Sequence, residues 1–454
     1  MVQTKSLWSH MAAILTLGLP LIGSQLAQFL ITLTDTVMIG WYGVPELAAL
    51  VVATSILFTM ILLGSGFAFA VMPLVAAAAA VGDVVQIRRV TRMGLWASMG
   101  FAALVVPVLI MWRSLFAALG QPDQVAILAG DYIRVAAWGL PAALIFMVLR
   151  SYLAALEQTR VVMVVTLASA VLNAGLNYVL IFGRLGLPEL GVQGAAVATV
   201  GTNLMGAATL GAYAAWKHPD HAIFVRLWRP DWVGLGRVFR LGWPIGLTLL
   251  AEVGMFSASA VMVGWVGVVP LAAHGIVLQL ATATFMVHLG LSQAATIRAA
   301  SAYGRSDGAL LRRDGTAGLI LSLLVSFVTV VVFLLVPEPL ILVFLDASDP
   351  LKDQILATGV TLMVLAALFQ LSDGAQVMVL ALLRGVQDTR VPMIFAAVSY
   401  WGVGVPVAYV LGFVLEMGAA GVWLGLLAGL VMAAALMLHR FWLRILPSVE
   451  VGRG

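Results

Sequence analysis

The chain has 454 residues, 62% of them hydrophobic and 10% charged, with a net charge of +4 and a mean hydropathy of +1.08. A soluble domain carries about 25% charged residues, so this composition excludes an ordinary soluble protein. The absence of cysteine excludes disulfides, thiolate metal ligands and cysteine nucleophiles, and the basic residues sit in short loops where they orient a membrane protein instead of binding nucleic acid.

Twelve apolar segments follow in chain order, at about 11–39, 47–76, 92–112, 131–153, 161–183, 192–215, 238–265, 270–300, 316–337, 355–383, 391–413 and 418–440. A helix of about 20 apolar residues is long enough to cross the hydrocarbon of a bilayer. MVQTKSLWSH runs straight into the first segment, which therefore reads as a transmembrane helix and not a cleaved signal peptide. Pro20 and Pro244, early in segments one and seven, predict helix kinks, as does Pro141 in segment four. The only longer polar connection, 216–237, carries Lys217, Asp220, Arg226, Arg229, Asp231 and Arg237 and is the natural linker between halves.

The halves repeat. At an offset of 224 residues LGLPLIGSQLAQFLITLTDTVMIGW (17–41) aligns with LGWPIGLTLLAEVGMFSASAVMVGW (241–265), and Arg88-Arg89 aligns with Arg312-Arg313. At a slightly larger offset Thr159-Arg160 aligns with Thr389-Arg390. Six helices separate the copies, an even number, so both keep one orientation. The expected fold is an all-α polytopic membrane protein with twelve transmembrane helices in two six-helix lobes related by a pseudo-two-fold axis along the membrane normal. The expected boundaries are 1–215 for the N-lobe, 216–237 for a cytoplasmic linker and 238–454 for the C-lobe.

All but three of the 20 acidic residues lie in loops or at segment ends; the exceptions are Asp35, Glu252 and Asp373. An acid inside a membrane helix is costly and commonly marks a proton or ion pathway, while a protonated carboxyl bridging two helices is the structural alternative. A carboxyl that either holds a proton or binds a cation is what an ion-coupled pump needs. Near Asp35, polar residues recur at useful spacing. Asn173 and Asn177, four apart, share a helix face. Thr199, Thr202 and Asn203 lie on segment six, with Gln28 two turns before Asp35, so these side chains are candidates for one hydrogen-bonded pocket. His274 and His288 lie fourteen apart on segment eight, a weak metal signal better read as packing. No Walker sequence and no HExxH, GxSxG or SxxK element occurs, which argues against ATP-driven transport and against those hydrolases.

Asp35 in TDTVMIGW, Glu252 in LLAEVGMF, Asp373 in FQLSDGAQ and the LRG-x-x-DT-x-x-P run at 383–392 together resemble the multidrug and toxic compound extrusion (MATE) family, in its NorM-like branch. The resemblance implies a V-shaped pair of six-helix lobes in a bacterial cytoplasmic membrane, exporting cationic or amphipathic drugs from a central cavity in exchange for inward H⁺ or Na⁺. It implies an N-lobe site at Asp35, Asn173 and Asn177 and a C-lobe cation site at Glu252 and Asp373. Where the family pattern has Tyr four residues before the helix-ten aspartate, this chain has Phe369, which removes a potential oxygen ligand. The expected partners are small organic cations or drugs, a coupling cation and the lipid bilayer, with no nucleic acid and a monomeric chain. No cofactor is expected, and no metal other than a Na⁺ held at Glu252/Asp373 or at Asp35. Two other readings compete. A lipid-linked precursor flippase of the same superfamily should line its cavity with several Arg or Lys residues, and the helix interiors offer almost no buried base. An intramembrane enzyme would need close acids with a nucleophile or His ligands.

Of the 24 basic residues, twenty fall on one side of the segments; Arg113, Arg134, Arg184 and Lys352 fall on the other, beside the acidic loop of Glu338, Asp346, Asp349 and Asp353. The positive-inside rule then places both termini in the cytoplasm. Cysteines introduced at Arg226 and Arg313 are expected to react with impermeant thiol reagents only from the cytoplasm, and one at Asp349 only from outside. Opposite accessibility would reverse the topology.

Overall fold

The computed structural model describes residues 6–111, 123–346, 348 and 350–451; Arg113 and Asp349, used above for orientation, lie outside the described residues. The described chain is helical throughout. The helices are α1 (Leu7–Tyr42), α2 (Val44–Ala80), α3 (Val84–Ile110), α4 (Asp123–Ala136), α5 (Gly139–Ala155), α6 (Thr159–Phe182) and α7 (Gly191–Lys217). They continue as α8 (Trp232–Val266), α9 (Val268–Gly304), α10 (Gly308–Leu335), α11 (Lys352–Gly385), α12 (Arg390–Val414) and α13 (Gly418–Val451). Eleven of these are long and apolar enough to cross a membrane, and the α4–α5 pair makes a twelfth. That pair replaces the single predicted segment 131–153: it bends by 47° between Ala136 and Gly139. Pro141 lacks the N–H that would bond the carbonyl four residues earlier, and Leu140 closes the break with a tighter bond to Ala137 O at 3.1 Å.

The contacts divide the chain into two compact units, Gly23–Gly246 and Met1–Ile22 with Leu247–Gly454. The division differs from the expected boundaries because α1 and α8 each belong to both units. Each helix changes unit two residues after its proline, Pro20 and Pro244, and neither proline interrupts its helix.

Within Gly23–Gly246, α2 packs on α3, α4 and α5, and α7 packs on α4, α5 and α6. Ile39, Leu109, Ile133, Leu140 and Leu144 are fully or almost fully buried in its core. The linker is fastened to α3. Arg88 donates to the carbonyls of His221 (2.7 Å) and Asp220 (2.8 Å), Arg92 to those of Ala222 and Ile223, and Trp96 to Leu227 O. Arg89 also pairs with Asp231 at 2.6 Å, which holds that carboxyl below its ordinary range.

In the other unit α11 is the hub, packing on α9, α10 and α13. Small residues let helices approach without side chains between them. The position of a Cβ on Gly425 of α13 is already occupied by the backbone of Ala408 in α12, and the space at Gly404 ends 3.3 Å away on Gly429 Cα.

Turn chemistry repeats at the offsets read from the sequence. Gly82 (φ 73°) precedes Asp83, which caps α3 by accepting from Gln86 N at 2.9 Å. Ser306 (φ 51°) precedes Asp307, which caps α10 by accepting from Leu310 N at 3.0 Å. Glu157 (φ 62°) and Gln387 (φ 63°) form a second matched pair of left-handed turns. Equivalent residues thus make equivalent helix starts in both copies.

Because the α12–α13 contact has no room for a side chain, Gly425→Val is expected to lower the thermal unfolding temperature in detergent. Gly275→Ala, where a Cβ meets open space, serves as the control. Equal unfolding temperatures for Gly425→Val and wild type would remove the close approach as a source of stability.

Candidate functional site

The first intramembrane acid, half-buried, stands near the end of α1, where Thr36 returns its hydroxyl to its own helix (Thr32 O, 2.9 Å) and leaves Asp35 as the polar group facing inward. Asp35 Oδ1 accepts from Asn177 Nδ2 at 2.5 Å, and Oδ2 accepts from Thr199 Oγ1 at 3.2 Å. The second N–H of Asn177 reaches Asn173 Oδ1 at 3.1 Å along the same face of α6. Both asparagines are fully buried. Asn177 Oδ1 and Asn173 Nδ2 have no partner among the described residues, so the pocket retains one acceptor and one donor. A cavity of about 30 Å³ beside it is lined by Tyr132, Thr199 and Asn203, space for one water.

Two residues expected in this group stand apart. Thr202 donates to Ala198 O in its own helix at 2.7 Å. Gln28 makes none of the described hydrogen bonds to Asp35 or the asparagines. Tyr132 was not legible as a member. It is buried in α4 within electrostatic reach of Asp35, and only tertiary packing brings it there.

In the other unit Glu252 (α8) and Asp373 (α11) are buried, 6% and 2% exposed, and near enough to interact electrostatically. Arg384 is the residue that sequence reasoning missed. It lies just beyond the apolar segment 355–383, and α11 continues past it to Gly385. It lies eleven residues after Asp373, about three helical turns along the same face, and interacts with Glu252. Tyr400 of α12 is fully buried within reach of Glu252, Asp373 and Arg384. Polar atoms without partners among the described residues concentrate here: Asp373 Oδ1, Arg384 Nε and Nη2, Tyr400 OH, and both amide atoms of Gln293 and Gln376. Buried polar groups are normally paired, so this concentration suits water or a cation as the missing partner. The spacing of Gln370, Asp373 and Gln376, three residues apart, was the available signal for a polar stripe.

Phe369 packs edge-on to Phe256 (5.9 Å) and Trp423 (5.8 Å) and offers no oxygen. His274 accepts from Trp423 Nε1 at 3.1 Å, while His288 bonds serines of α10. No cluster of three metal-ligating side chains occurs among the described residues.

The expectation of almost no buried base needs correction. Arg384 is half-buried, and Arg150 of α5 is 8% exposed and bonds Gln25 Oε1. Asp314, assigned to a loop, is 1% exposed in α10, where its Oδ1 accepts from Arg298 at 2.8 Å and meets His10 Nδ1 at 2.7 Å. The predicted segments 316–337 and 355–383 stopped short of Asp314 and Arg384 because the helices continue past the apolar run, whereas Arg150 lies within the predicted segment 131–153.

Eleven to twelve membrane-length helices with buried carboxylates inside them define a polytopic α-helical membrane transporter. The MatE family model matches residues 20–179 and 244–410, and the chain belongs to the MatE family. It is 44% identical to the Rhizobium meliloti protein described as "Probable multidrug resistance protein NorM", covering 99% of this chain and 97% of that one. The Agrobacterium fabrum protein of the same description is 41% identical, again over 99% and 97%. Among solved structures, the outward-facing conformation of a multidrug resistance MATE family transporter of the MOP superfamily superposes with a TM-score of 0.87 at 20% identity, covering 97% of each chain. A MOP superfamily transporter from Pyrococcus furiosus, described by a reversed polarity of its binding pocket, also gives 0.87 at 19% identity, covering 97% of each chain. At such identities these likenesses carry the fold, a two-lobe arrangement of twelve helices.

Asp35→Asn keeps the size of the side chain and an acceptor for Asn177, and removes the exchangeable proton or charge. It is expected to abolish efflux while expression and membrane insertion stay at wild-type level, read by cargo uptake into inverted vesicles. Wild-type transport in this variant would reduce Asp35 to a packing residue.

Proposed function

We propose that the chain is a secondary multidrug efflux antiporter, exporting cationic or amphipathic compounds in exchange for inward H⁺ or Na⁺, with both termini in the cytoplasm. The observation that carries the reading is the buried Glu252–Asp373 pair, with unpartnered polar atoms around it, inside a chain of this family. Names of relatives that specify multidrug resistance support the cargo class. A bundle interior with interacting acids attracts cations, and changing its protonation or occupancy changes the charge that the surrounding helices must accommodate.

The coupling ion follows from the ligand chemistry. Sodium takes several oxygen ligands; Glu252 and Asp373 offer up to four, and Phe369 adds none. Two carboxylates close together in a low dielectric repel, so a proton held between them is the simpler neutralising ligand. Arg384 compensates one of the two charges, which leaves one for a proton or monovalent cation. H⁺ is therefore favoured over Na⁺ at this pair.

The flippase reading draws on Arg150 and Arg384, but each stands beside its own partner, Gln25 or Glu252, and they form no common basic patch. An enzymatic reading draws no support from the family, which is one of transporters. A monomer in the bacterial cytoplasmic membrane suffices, because the residues of each described polar site come from one unit of one chain.

In purified proteoliposomes an imposed pH gradient alone should drive drug movement, Glu252→Gln should stop it, and Phe369→Tyr should increase the response to Na⁺. Transport that follows a Na⁺ gradient and ignores pH would move the coupling site to Asp35.

A further inference from the structure

His288, in the middle of α9, is 1% exposed and plays no part in the sites described so far. Its Nδ1 lies 3.0 Å from Ser322 Oγ and its Nε2 lies 3.3 Å from Ser326 Oγ, so two serines one turn apart on α10 bracket the ring. Each serine also faces α11. Ser322 donates to the carbonyl of Gly374 at 2.8 Å and Ser326 to that of Gln370 at 2.9 Å. Those carbonyls flank Asp373. The three side chains press on this turn so closely that a Cβ on Gly374 would overlap Ser326 Oγ and come within 2.8 Å of His288 Cε1. Gln370 fastens the same turn to α9 by donating to Thr284 Oγ1 at 2.7 Å.

The hydrogens can be counted. A serine hydroxyl has one hydrogen to donate. With both hydroxyls donating to α11 carbonyls, each can only accept from the ring. All four contacts are then hydrogen bonds only when both ring nitrogens carry hydrogens, that is, when His288 is an imidazolium. A neutral ring has one nitrogen that must accept. The serine facing it then turns its hydrogen to the ring and releases one carbonyl beside Asp373.

We propose that His288 is a proton-binding site of the transporter, whose protonation state sets whether one or both carbonyls flanking Asp373 are held by α10. Proton uptake makes both ring nitrogens donors, returns both serine hydrogens to α11 and pins the turn that carries Asp373. Proton loss frees one of those bonds and loosens the turn. His288 is thus a positioning residue: it acts on Asp373 through Ser322, Ser326 and the backbone of α11.

No charged side chain interacts with the ring among the described residues, and the interior opposes a cation there. The elements packed on α9 carry their titratable groups elsewhere. Those of α10 (Arg312, Arg313, Asp314) are in its first two turns, and His10 of α1 is bonded to Asp314. Glu338 lies in the first turn of the short helix Pro337–Leu342, and His439, Arg440, Arg444 and Glu450 belong to the second half of α13. On α11, Lys352 and Asp353 lie in the first turn and Arg384 in the last, which leaves Asp373 as the titratable side chain of the contacted turn. The hydrogen-bond geometry, with no ion pair, is therefore what favours the charged ring against its burial.

The inference deepens the antiport reading, and its principal test needs no cargo. In ¹⁵N-histidine-labelled protein in nanodiscs, the signal of His288 is identified by elimination, using Gln variants at the other five histidines (His10, His218, His221, His274 and His439). In a titration from about pH 8 down to about pH 3, extended below the ordinary imidazole window because burial disfavours the charged ring, this ring is expected to pass from one N–H group to two. Ser322→Ala/Ser326→Ala should abolish that transition by removing both acceptors. A ring that stays neutral with one fixed tautomer across the range overturns the proposal, even if drug antiport is demonstrated. In proteoliposomes His288→Gln, which donates and accepts like the neutral ring, should shift the pH of half-maximal exchange. An unchanged pH profile in that variant also overturns it. Loss of all gradient-driven transport in the wild type would instead remove the antiport reading and leave the ring titration to be judged by itself.

Discussion

Inside a bilayer a polar atom that turns inward must be satisfied by the protein, since lipid offers it nothing. This constraint shapes both units. Asp35 is tolerable within α1 because α6 and α7 present an amide and a hydroxyl to its two oxygens. Asp314 is tolerable within α10 because Arg298 and His10 converge on it. Where the demand is left unmet, at Asp373, Gln376, Gln293 and Arg384, buried polar atoms have no partner among the described residues.

The helix most exposed to that demand is α11. It packs on three neighbours, carries Asp373 in the middle and Arg384 at its end, and has carbonyls bound by serines of α10. A helix held this way moves as part of its bundle. A change of charge at Asp373 therefore acts on a turn that is already fastened from two sides, and the bonds around that turn determine how far it can respond. Free rotation of one side chain would not give such coupling.

Duplication gave the two units the same framework without the same chemistry. Asp83 and Asp307 cap corresponding helices, and Gly82 and Ser306 make the turns before them. At the same offset, however, Gln28 stands where the second copy has Glu252, and Ser259 stands where the first has Asp35. The acids therefore sit at different depths of equivalent helices. The first unit surrounds its acid with amides and a hydroxyl. The second pairs two acids with an arginine and a tyrosine, and these surroundings suit different occupants.

The membrane class, the helical fold, the repeat and the three intramembrane acids were legible in the residues, because apolar run length, offset identity and isolated charge are local properties of a chain. So was the Asn173–Asn177 face, since a spacing of four fixes direction on a helix. Which polar residues meet was not legible. Thr202 and Gln28 lie on the expected helices but do not join Asp35, whereas Tyr132 comes near it from a helix with no such pattern. The ends of the apolar runs also concealed Arg384 and Asp314, because helices continue past the last apolar residue when partners wait inside. Sequence alone thus determined which segments cross and which carry charge. Only the tertiary structure decided which charges face one another, because that depends on the rotation and contact of helices far apart in the chain.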